Sequence, residues 1–357
     1  MIITPSLACG GSEKFVSLVC NNINTDKFSV CLLIINNVNG FHKITNPAVE
    51  VIDVKKNRVL FSLPAIKKAV KNFKPDIVFS TANHLNLYIA IFKNQFDKKI
   101  KFIAREASIV SINSKQAKMP GLYGWLIKKF YKRFDLMICQ SAYMQQDLVK
   151  HYQVSVVKTI IIHNATEKII TNPVELVKEK SDSIYKFVTI AGLSEHKGIE
   201  RLIHAVGLLN ISFKYFIIGE GNKRNELQKL IDYLQLQDKV FLVGQKNDPF
   251  IGMQNADLFL LGSYYEGFPN VLLEAGANGI PVVAFNALGG IAEIITEPEN
   301  GLLVEDNNLI AFATTINKAL TIKFNRAEIM ATTEKRFAIS KMMLALENSF
   351  LNAPQNK

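Results

Sequence analysis

Cysteine is scarce in this sequence, with only Cys9, Cys20, Cys31 and Cys139 among 357 residues. No two of them form a CxxC pair, the usual spacing of a zinc site. They lie mostly in apolar segments such as SVCLLII. We therefore predict buried free thiols rather than disulfides or zinc ligands.

Long apolar runs are also missing. No run of about 18 uncharged apolar residues occurs, so the sequence predicts no membrane-spanning helix. The N-terminal segment MIITPSLACGG has no basic residues before its apolar stretch, unlike a secretory leader. These two absences lead us to expect a cytoplasmic protein.

Acidic residues are too few to balance the basic ones. The chain has 42 Lys plus Arg against 31 Asp plus Glu, a formal charge of +11. Such an excess indicates an anionic partner, which is a nucleic acid, a phosphorylated ligand or a membrane surface. Because no recognition helix, RNP-like strand or zinc finger is evident, nucleic acid ranks last.

The composition that remains is that of a folded protein. Hydrophobic residues make up 48% and charged residues 20%, so the chain has enough apolar side chains to offset the entropy of ordering. A length of 357 residues exceeds one ordinary core and fits two domains.

Short β-branched runs alternate with amphipathic helical segments along both halves of the chain. The predicted strands are SVCLLII, VEVIDV, DIVFST, KIKFIA, DLMICQ and KTIIIHN, then YKFVTIAGL, FKYFIIGEG, KVFLVG, DLFLLGS, PVVAFN and GLLVE. Unbroken apolar strands of this kind belong to parallel sheets covered on both faces. The fold class is therefore α/β, with two Rossmann-like, doubly wound domains whose strand ends face a central cleft.

The domain boundaries follow from the polar stretch between the two series. We predict a first domain at 1–165, a linker at 166–184 and a second domain at 185–337. The remaining stretch, about 338–357, has a helical period and is expected to pack back on the first domain.

The segment from Glu266 to Glu274, EGFPNVLLE, carries the strongest chemical signal. Gly267 and Pro269 predict a tight turn, and Asn270 is a competent N-cap. Backbone N–H groups at such a helix start attract phosphate, and a carboxylate one turn further along can bind the two hydroxyls of a ribose. The alternative is that both glutamates are solvated charges beside an ordinary loop.

EGFPNVLLEAGANGIPVVA resembles the signature of the retaining glycosyltransferases of family 4, which have the two-lobed GT-B fold. Other matching segments are PSLACGGSEKF, DLMICQS, IIIHNA, LSEHKGIERLIHA, FIIGEGNKRNEL, KVFLVG, GGIAEII and NGLLVE, in the order the family has them. The resemblance covers nearly the whole chain. It implies that the second lobe binds a nucleotide sugar and the first an acceptor.

The resemblance also implies roles for individual residues. Lys197 would neutralise the leaving diphosphate, Glu266 would lie near the transferred sugar, and Glu274 would bind the ribose. The other implied donor-binding residues are Gly10, Gly11, Gly219, Arg224, Gly267, Phe268, Pro269, Asn270, Val271, Gly290 and Glu293. No metal ion or cofactor is implied, because helix starts and Lys197 supply the positive charge.

One position departs from the family pattern: Gly192 stands where an arginine is usual. The donor phosphates would then have one cation fewer. Lys223 or Arg224 could supply that charge, or both could be solvated residues at a helix start.

Acceptor candidates lie after strands of the first lobe. His84, Arg105 and Glu106 follow predicted strand ends, where ligands of such sheets bind. His84 could instead be a structural histidine, and Arg105 and Glu106 could form an ordinary ion pair.

The segment GLYGWLIKKFYKRF predicts a basic amphipathic helix. It places Leu122, Trp125, Leu126 and Phe130 on one side, near Lys128, Lys129, Lys132 and Arg133. Two interpretations remain open: a helix resting on an anionic membrane, and a core-packed helix with a basic solvated face.

The sequence thus predicts transfer of a hexose or N-acetylhexosamine from a UDP-sugar to a glycan, with retention, during surface polysaccharide, lipopolysaccharide or capsule assembly. The acceptor is expected to be lipid-linked and the enzyme to contact the inner face of the cytoplasmic membrane. The rivals are a sugar-nucleotide epimerase of the same fold and a decayed, non-catalytic nucleotide-sugar binder.

Overall fold

The computed structural model of the protein describes residues 1–38, 40–166, 184–246 and 255–353. The chain divides into two units, Met1–Asn164 with Ile339–Lys357, and Ala165–Ala338. Most of the predicted linker, 167–183, lies outside the described residues.

The first unit contains a seven-stranded parallel sheet with the order β3-β2-β1-β4-β5-β6-β7. The strands β1 to β7 span Ile2–Thr4, Val30–Ile34, Val49–Asp53, Ile77–Thr81, Lys101–Arg105, Leu136–Cys139 and Thr159–Ile161. The order reverses between β1 and β4, which opens a crevice at the carboxyl ends of these strands, where ligands of such sheets bind.

Helices cover both faces of this sheet. Helices α1 to α6 span Gly11–Asn22, Leu63–Phe73, Asn83–Phe92, Val110–Lys115, Pro120–Phe130 and Ala142–Tyr152. Right-handed crossovers place α1, which connects toward the β3 edge, on one face and the later helices on the other. Short 3-10 turns lie at Val59–Phe61, Lys93–Gln95, Tyr131–Arg133 and Val156–Lys158.

The second unit repeats the architecture with a six-stranded parallel sheet of order β10-β9-β8-β11-β13-β15, and β12 and β14 pair separately. The strands β8 to β15 span Tyr185–Ile190, Phe213–Ile218, Val240–Gly244, Leu258–Leu261, Tyr265–Glu266, Val282–Phe285, Leu288–Gly289 and Gly301–Val304. The predicted α/β class with two Rossmann-like, parallel-sheet units is confirmed.

In the described part of this unit, helices α7 to α12 span Ile199–Gly207, Arg224–Tyr233, Asn270–Ala277, Ile291–Ile294, Leu309–Thr321 and Arg326–Phe337. A 3-10 turn at Glu195–Lys197 precedes α7. The α7 segment is strongly amphipathic and buries Ile199, Leu202, Ile203 and Val206 in the core of the unit.

The last helix, α13, spans Ile339–Asn352 and belongs to the first unit. It packs against α1, and its buried Phe350 meets Phe79 edge-on with ring centroids 5.2 Å apart. The Asn24 backbone N–H donates to the Glu347 carboxylate at 3.0 Å.

All four cysteines are free thiols, as predicted. Cys20, Cys31 and Cys139 are buried, but Cys9 is exposed, so the prediction of burial is wrong there. Cys9 lies in the loop before α1 rather than in a strand or helix. Of the helices in the described part of the chain, none is both long and apolar enough to span a bilayer.

Candidate active site

An ion pair between Lys197 and Glu266 forms the centre of the candidate site in the second unit. The Lys197 Nζ lies 2.6 Å from Oε1 of Glu266. The Ser263 hydroxyl donates to the same oxygen at 2.7 Å. These two charge-assisted contacts fix the carboxylate while both charged side chains remain partly exposed.

The backbone of Glu266 is held by the β12–β14 pair. Glu266 pairs with Gly289, which has a φ of +121°, and a Cβ at Gly289 would collide with the Glu266 carbonyl oxygen. The Gly290 N–H donates to that carbonyl at 3.2 Å. Gly290, which the resemblance implied as a donor-binding residue, thus uses its amide to hold Glu266.

Arg201 anchors the loop that carries Ser263. Its Nε donates to the carbonyl of Gly262 and its Nη2 to that of Ser263, each at 2.5 Å. Its Nη1 lies 2.7 Å from the carboxylate of Asp306, and the guanidinium stacks over the Phe285 ring at 3.9 Å. A buried cation thus ties α7 to the loop after β11.

The 3-10 turn that carries Lys197 is joined to the same loop. The Tyr264 N–H donates to the carbonyl of His196 at 2.9 Å, and the His196 ring stacks on Tyr265 with centroids 5.4 Å apart. Burial, and then the charge of Lys197, lower the pKa of His196. Lys197 is therefore held next to a neutral ring rather than a second cation.

Helix α9 begins one residue earlier than predicted. Pro269 occupies the N-cap and makes no side-chain capping hydrogen bond, and Asn270 is the first helical residue. The prediction that Asn270 is the N-cap is therefore wrong, because Pro269 already has the extended conformation that a cap requires. Asn270, Val271 and Glu274 form the half-buried stripe of the helix.

The turn before α9 is buried at Gly267, Phe268 and Pro269. The Phe268 side chain packs edge-on against Phe337 with centroids 5.8 Å apart and belongs to an apolar cluster of the unit. The prediction that Phe268 binds the donor is therefore corrected for its side chain, which fills the core.

Gly219 and Gly192 have different backbone requirements. Gly219 has a φ of +148°, its N–H donates to the Gly244 carbonyl at 3.0 Å, and a Cβ would collide with the Ala191 carbonyl. Gly192 is exposed, and the nearest atom to a Cβ there is the Glu220 carbonyl at 3.9 Å. A side chain would therefore fit at Gly192.

Both cations considered as substitutes at this edge already have carboxylate partners. The Arg224 Nη1 lies 2.9 Å from Glu220 Oε1, and its Nη2 donates to the Leu242 carbonyl at 3.0 Å. The Lys223 Nζ lies 2.7 Å from Glu226 Oε2. These contacts favour the interpretation as helix-start ion pairs.

Glu293 lies in α10, which starts after Gly290 and has Glu293 half-buried. Its backbone carbonyl accepts a hydrogen bond from Nη2 of Arg336 at 2.5 Å. Arg336 Nη1 also donates to the carbonyl of Ile294 at 3.0 Å. Arg336 of α12 therefore holds the short helix α10 in place.

In the first unit, the predicted glycine pair starts α1. Gly10 is the N-cap and Gly11 the first helical residue. A Cβ at Gly10 would collide with the Glu13 carboxylate, so the side chain of the third helical residue folds back over the cap. Gly11 is exposed and Gly10 half-buried.

The three acceptor candidates do not share one environment. His84 is the second residue of α3 and is exposed. Arg105 and Glu106 are almost completely buried, and each side chain has its own hydrogen-bond partner rather than the other residue, although the charge of each favours the ionised form of the other. The prediction that their side chains contact the acceptor is corrected: they lie beneath the surface.

Arg105 and Glu106 belong to a buried polar network at the carboxyl edge of the sheet. Arg105 Nη2 donates to Asn164 Oδ1 at 2.5 Å, and its guanidinium stacks on Phe15 at 3.6 Å. Asn86 donates to Glu106 Oε1 at 2.8 Å. Burial raises the pKa of Glu106 to about 7 and lowers that of Arg105 to about 9.

The predicted basic helix is α5, and its buried residue is Ile127. Leu122 and Trp125 are exposed, whereas Leu126 and Phe130 are half-buried, so the four do not form one core-facing side. Lys129 Nζ lies 4.7 Å from the centre of the Trp125 ring. The exposed apolar residues weaken the interpretation as a purely core-packed helix.

Among the described residues, no group of three or more His, Cys, Asp or Glu side chains is placed to hold a metal ion.

Comparison with known proteins agrees with this geometry. Residues 10–167 match the model of Glycosyltransferase Family 4, and residues 174–336 match that of Glycosyl transferases group 1. The chain is 31% identical over 316 residues, 85% of each sequence, to the N-acetylgalactosamine-N,N'-diacetylbacillosaminyl-diphospho-undecaprenol 4-alpha-N-acetylgalactosaminyltransferase of Campylobacter jejuni. The chain belongs to the family 4 glycosyltransferases.

Solved structures place the glycosyltransferase in the GT-B fold. HepE of Anabaena in complex with UDP has a TM-score of 0.79 at 20% identity, covering 98% of each chain. The lipopolysaccharide outer core galactosyltransferase WaaB has a TM-score of 0.78 at 18% identity, covering 98% of this chain and 99% of its own. The resemblance predicted from the sequence is confirmed.

Sequence reasoning missed Ser263 and Arg201 of this glycosyltransferase. Ser263 lies two residues after the end of β11, and a polar residue close to a strand end is a usable signal. Arg201 lies between the apolar residues Ile199 and Leu202 on the buried face of α7. A charged residue within an apolar helical stripe indicates a buried partner.

Proposed function

We propose that the glycosyltransferase moves a hexose or N-acetylhexosamine, with retention, from a UDP-sugar to a lipid-linked glycan used in surface polysaccharide, lipopolysaccharide or capsule assembly. The contact of Glu266 with both Lys197 and Ser263, on the same β12–α9 segment as Glu274, carries this proposal. This arrangement brings the Lys197 ammonium, the Glu266 carboxylate and the ribose-binding candidate Glu274 into one unit.

The donor part of the proposal has two supports. HepE, which has the same fold, is described in complex with UDP and with UDP-glucose. Glu274 lies one helical turn after Asn270 on the half-buried stripe of α9, where a carboxylate can accept two hydrogen bonds from vicinal hydroxyls.

The proposed reaction requires no protein base. The bond between the anomeric carbon and the β-phosphate oxygen breaks with its electron pair going to the phosphate, where Lys197 neutralises the charge. Glu266 stabilises the positive charge at the anomeric carbon. The acceptor hydroxyl attacks from the same face, and its proton passes to the leaving phosphate oxygen. The reaction therefore proceeds without a metal ion in this proposal.

The acceptor part rests on the relative and on the first unit. The Campylobacter enzyme is named for a diphospho-undecaprenol acceptor and an α-linkage, and an α-product is what retention of an α-configured donor gives. The net charge of +11 favours an anionic substrate surface. We infer a cytoplasmic enzyme that works at the inner face of the membrane.

Ligand-dependent thermal unfolding tests the donor assignment. A UDP-sugar that binds the native state stabilises it by about 2.7 kcal/mol at a hundred times its dissociation constant. A panel of UDP-hexoses and UDP-N-acetylhexosamines should include at least one stabilising compound, and the ADP-sugars of the same hexoses serve as controls. If no UDP-sugar in the panel stabilises the protein, the donor assignment is refuted.

Product analysis separates the proposal from its rivals. With the stabilising donor and a diphospho-undecaprenol-linked glycan, we expect a new α-linked product by NMR, unaffected by EDTA. Conversion of the donor without acceptor would instead indicate an epimerase. Donor binding with no product would indicate a decayed binder, and a strict Mn²⁺ requirement would contradict the metal-free mechanism.

A separate test asks whether Arg224 or Lys223 replaces the positive charge that Gly192 lacks. Because Arg224 is already paired with Glu220, we expect Arg224→Ala and Lys223→Ala to leave donor affinity and turnover unchanged. A large loss in either variant would assign that residue as the substitute cation.

A further inference from the structure

Two segments of the first unit expose large apolar side chains that the core does not use. They are Leu60 and Phe61 in the 3-10 turn before α2, and Met119, Leu122 and Trp125 at the start of α5. Each of these five residues is between 47% and 65% exposed. Leaving so many large apolar groups in water on two neighbouring segments calls for a covering partner.

The two segments lie at one edge and on one face of the sheet. Helices α2, α3 and α5 follow crossovers of the same direction, so they cover the same face and begin at the carboxyl edge of the strands. Helix α3 packs against the 3-10 turn and against α5, and the Tyr88 hydroxyl of α3 donates to the Leu60 carbonyl at 2.8 Å. We call Leu60, Phe61, Met119, Leu122 and Trp125 the apolar rim.

The two sequence stretches that carry the apolar rim have charged residues of a single sign. The stretches 54–75 and 107–134 contain no aspartate or glutamate. Their basic residues include the exposed Lys55, Lys56 and Arg58 beside the turn, and Lys115, Lys118, Lys128 and Lys129 around α5. A symmetric second copy would bring these like charges face to face, which disfavours self-association.

We propose that the apolar rim inserts into the interface of a bilayer rich in anionic phospholipids, with the lysines and arginine around it contacting the lipid phosphates. Apolar tips surrounded by basic side chains fit such a surface, since the tips enter the acyl boundary and each cation adds electrostatic attraction. The inference rests on the proposed function, because the rim borders the sheet edge assigned to a lipid-linked acceptor.

The chain's single tryptophan, Trp125, reports on this contact directly. Vesicles of phosphatidylglycerol and phosphatidylcholine should shift its emission to the blue, and acyl-brominated lipids should quench it. Pure phosphatidylcholine vesicles should do neither, and high salt should weaken the shift. Unchanged Trp125 emission with the anionic vesicles would overturn the proposal.

Variants of the turn test whether Leu60 and Phe61 take part, since they are remote in sequence from the reporter. The double variant Leu60→Ser/Phe61→Ser should lower the vesicle partition coefficient about tenfold or more, given the transfer free energy of two large apolar side chains. Ile310→Ser, at an exposed apolar residue of the second unit, is the matched control and should partition as the wild type does. Equal partitioning of the double variant would refute the two-segment rim.

Transfer assays with two kinds of acceptor distinguish failure of this inference from failure of the proposed function. If the rim is correct, the double variant loses transfer to a vesicle-borne acceptor but keeps transfer to a water-soluble acceptor analogue. If both transfers persist unchanged, the rim is wrong and the function stands. Vesicle binding without any transfer would refute the function alone, whereas a dimer that the double variant dissociates would assign the rim to self-association.

Discussion

Lys197 and Glu266 form an ion pair in which both side chains remain partly exposed. Ser263 adds a neutral donor to the same carboxylate, so in the proposed reaction the oxygen would keep this hydrogen bond when Lys197 turns toward the leaving phosphate. A lysine suits this exchange because its ammonium is a compact point charge on a flexible stem. The contacts therefore orient the Glu266 carboxylate, while the flexible stem of Lys197 allows its ammonium to change partner.

Removing the Lys197 ammonium should reduce turnover without unfolding the protein. For Lys197→Ala we expect a loss in kcat of about 100- to 1000-fold, the usual cost of one transition-state charge contact. The Tm should change little because the side chain is partly exposed. Steady-state kinetics check this, with Lys214→Ala as an exposed control in the same unit; wild-type turnover in Lys197→Ala would remove the lysine from the mechanism.

Glu106 should make stability depend on pH. Burial raises its folded-state pKa to about 7 from 4.5, so the native state binds the proton more tightly. The stability gained is complete below the unfolded pKa and is lost as the pH rises through 7. This loss amounts to roughly 3 kcal/mol at about 1.4 kcal/mol per pKa unit.

Denaturant unfolding of Glu106→Gln between pH 5 and 8 measures this effect. The amide keeps an acceptor for Asn86 and cannot ionise. The unfolding free energy of the variant should therefore lack the contribution from Glu106 titration, and its stability relative to the wild type should rise with pH. Glu50→Gln, at an exposed strand position, should follow the wild type. Parallel wild-type and Glu106→Gln curves would show that the carboxyl does not titrate in this range.

At the scale of elements, the sequence predicted the strands well because buried parallel strands are continuous apolar runs. KVFLVG and DLFLLGS, for example, became β10 and β11. It failed where exposure depends on which helix covers a strand end: Arg105 follows the pattern of a ligand-binding residue, but α1 covers it with Phe15. The Phe268 side chain was misjudged for a similar reason, since Phe337 of α12 packs against it. The N-cap was misplaced because Pro269 itself takes the extended conformation of a cap.

The β12–β14 pair depends on one glycine conformation. Gly289→Ala should destabilise the second unit by about 1–3 kcal/mol and lower turnover, because alanine disfavours the positive φ and collides with the Glu266 carbonyl. Gly192→Ala, where a Cβ has room, is the control. Thermal unfolding and kcat are the measurements, and equal behaviour of the two variants would contradict this account of β12.

At the scale of the whole molecule, the chain leaves the first unit after Asn164 and returns to it at Ile339. The helical period of the last segment predicted α13, but its partner residues on α1 and the first sheet are too distant in sequence to be read from it. Phe350 fills a place between Phe28 and Phe79 of the first unit.

Phe350→Ala should therefore destabilise the first unit. We expect a loss of about 3–5 kcal/mol in unfolding free energy, the usual cost of removing a buried phenyl ring. Leu351→Ala, at the exposed neighbouring residue, should have little effect. Limited proteolysis should show earlier cleavage within residues 1–164 for Phe350→Ala; selective cleavage of the second unit would refute the assignment of α13.

The position of α13 also determines when the protein can finish folding during synthesis. Residues 1–164 emerge from the ribosome first, but Phe79 lacks its Phe350 contact until α13 has been translated. The residues of the second unit are complete before that point. The first unit is therefore begun before the second but completed after it, and a nascent chain is expected to need protection of its first sheet until α13 has been translated.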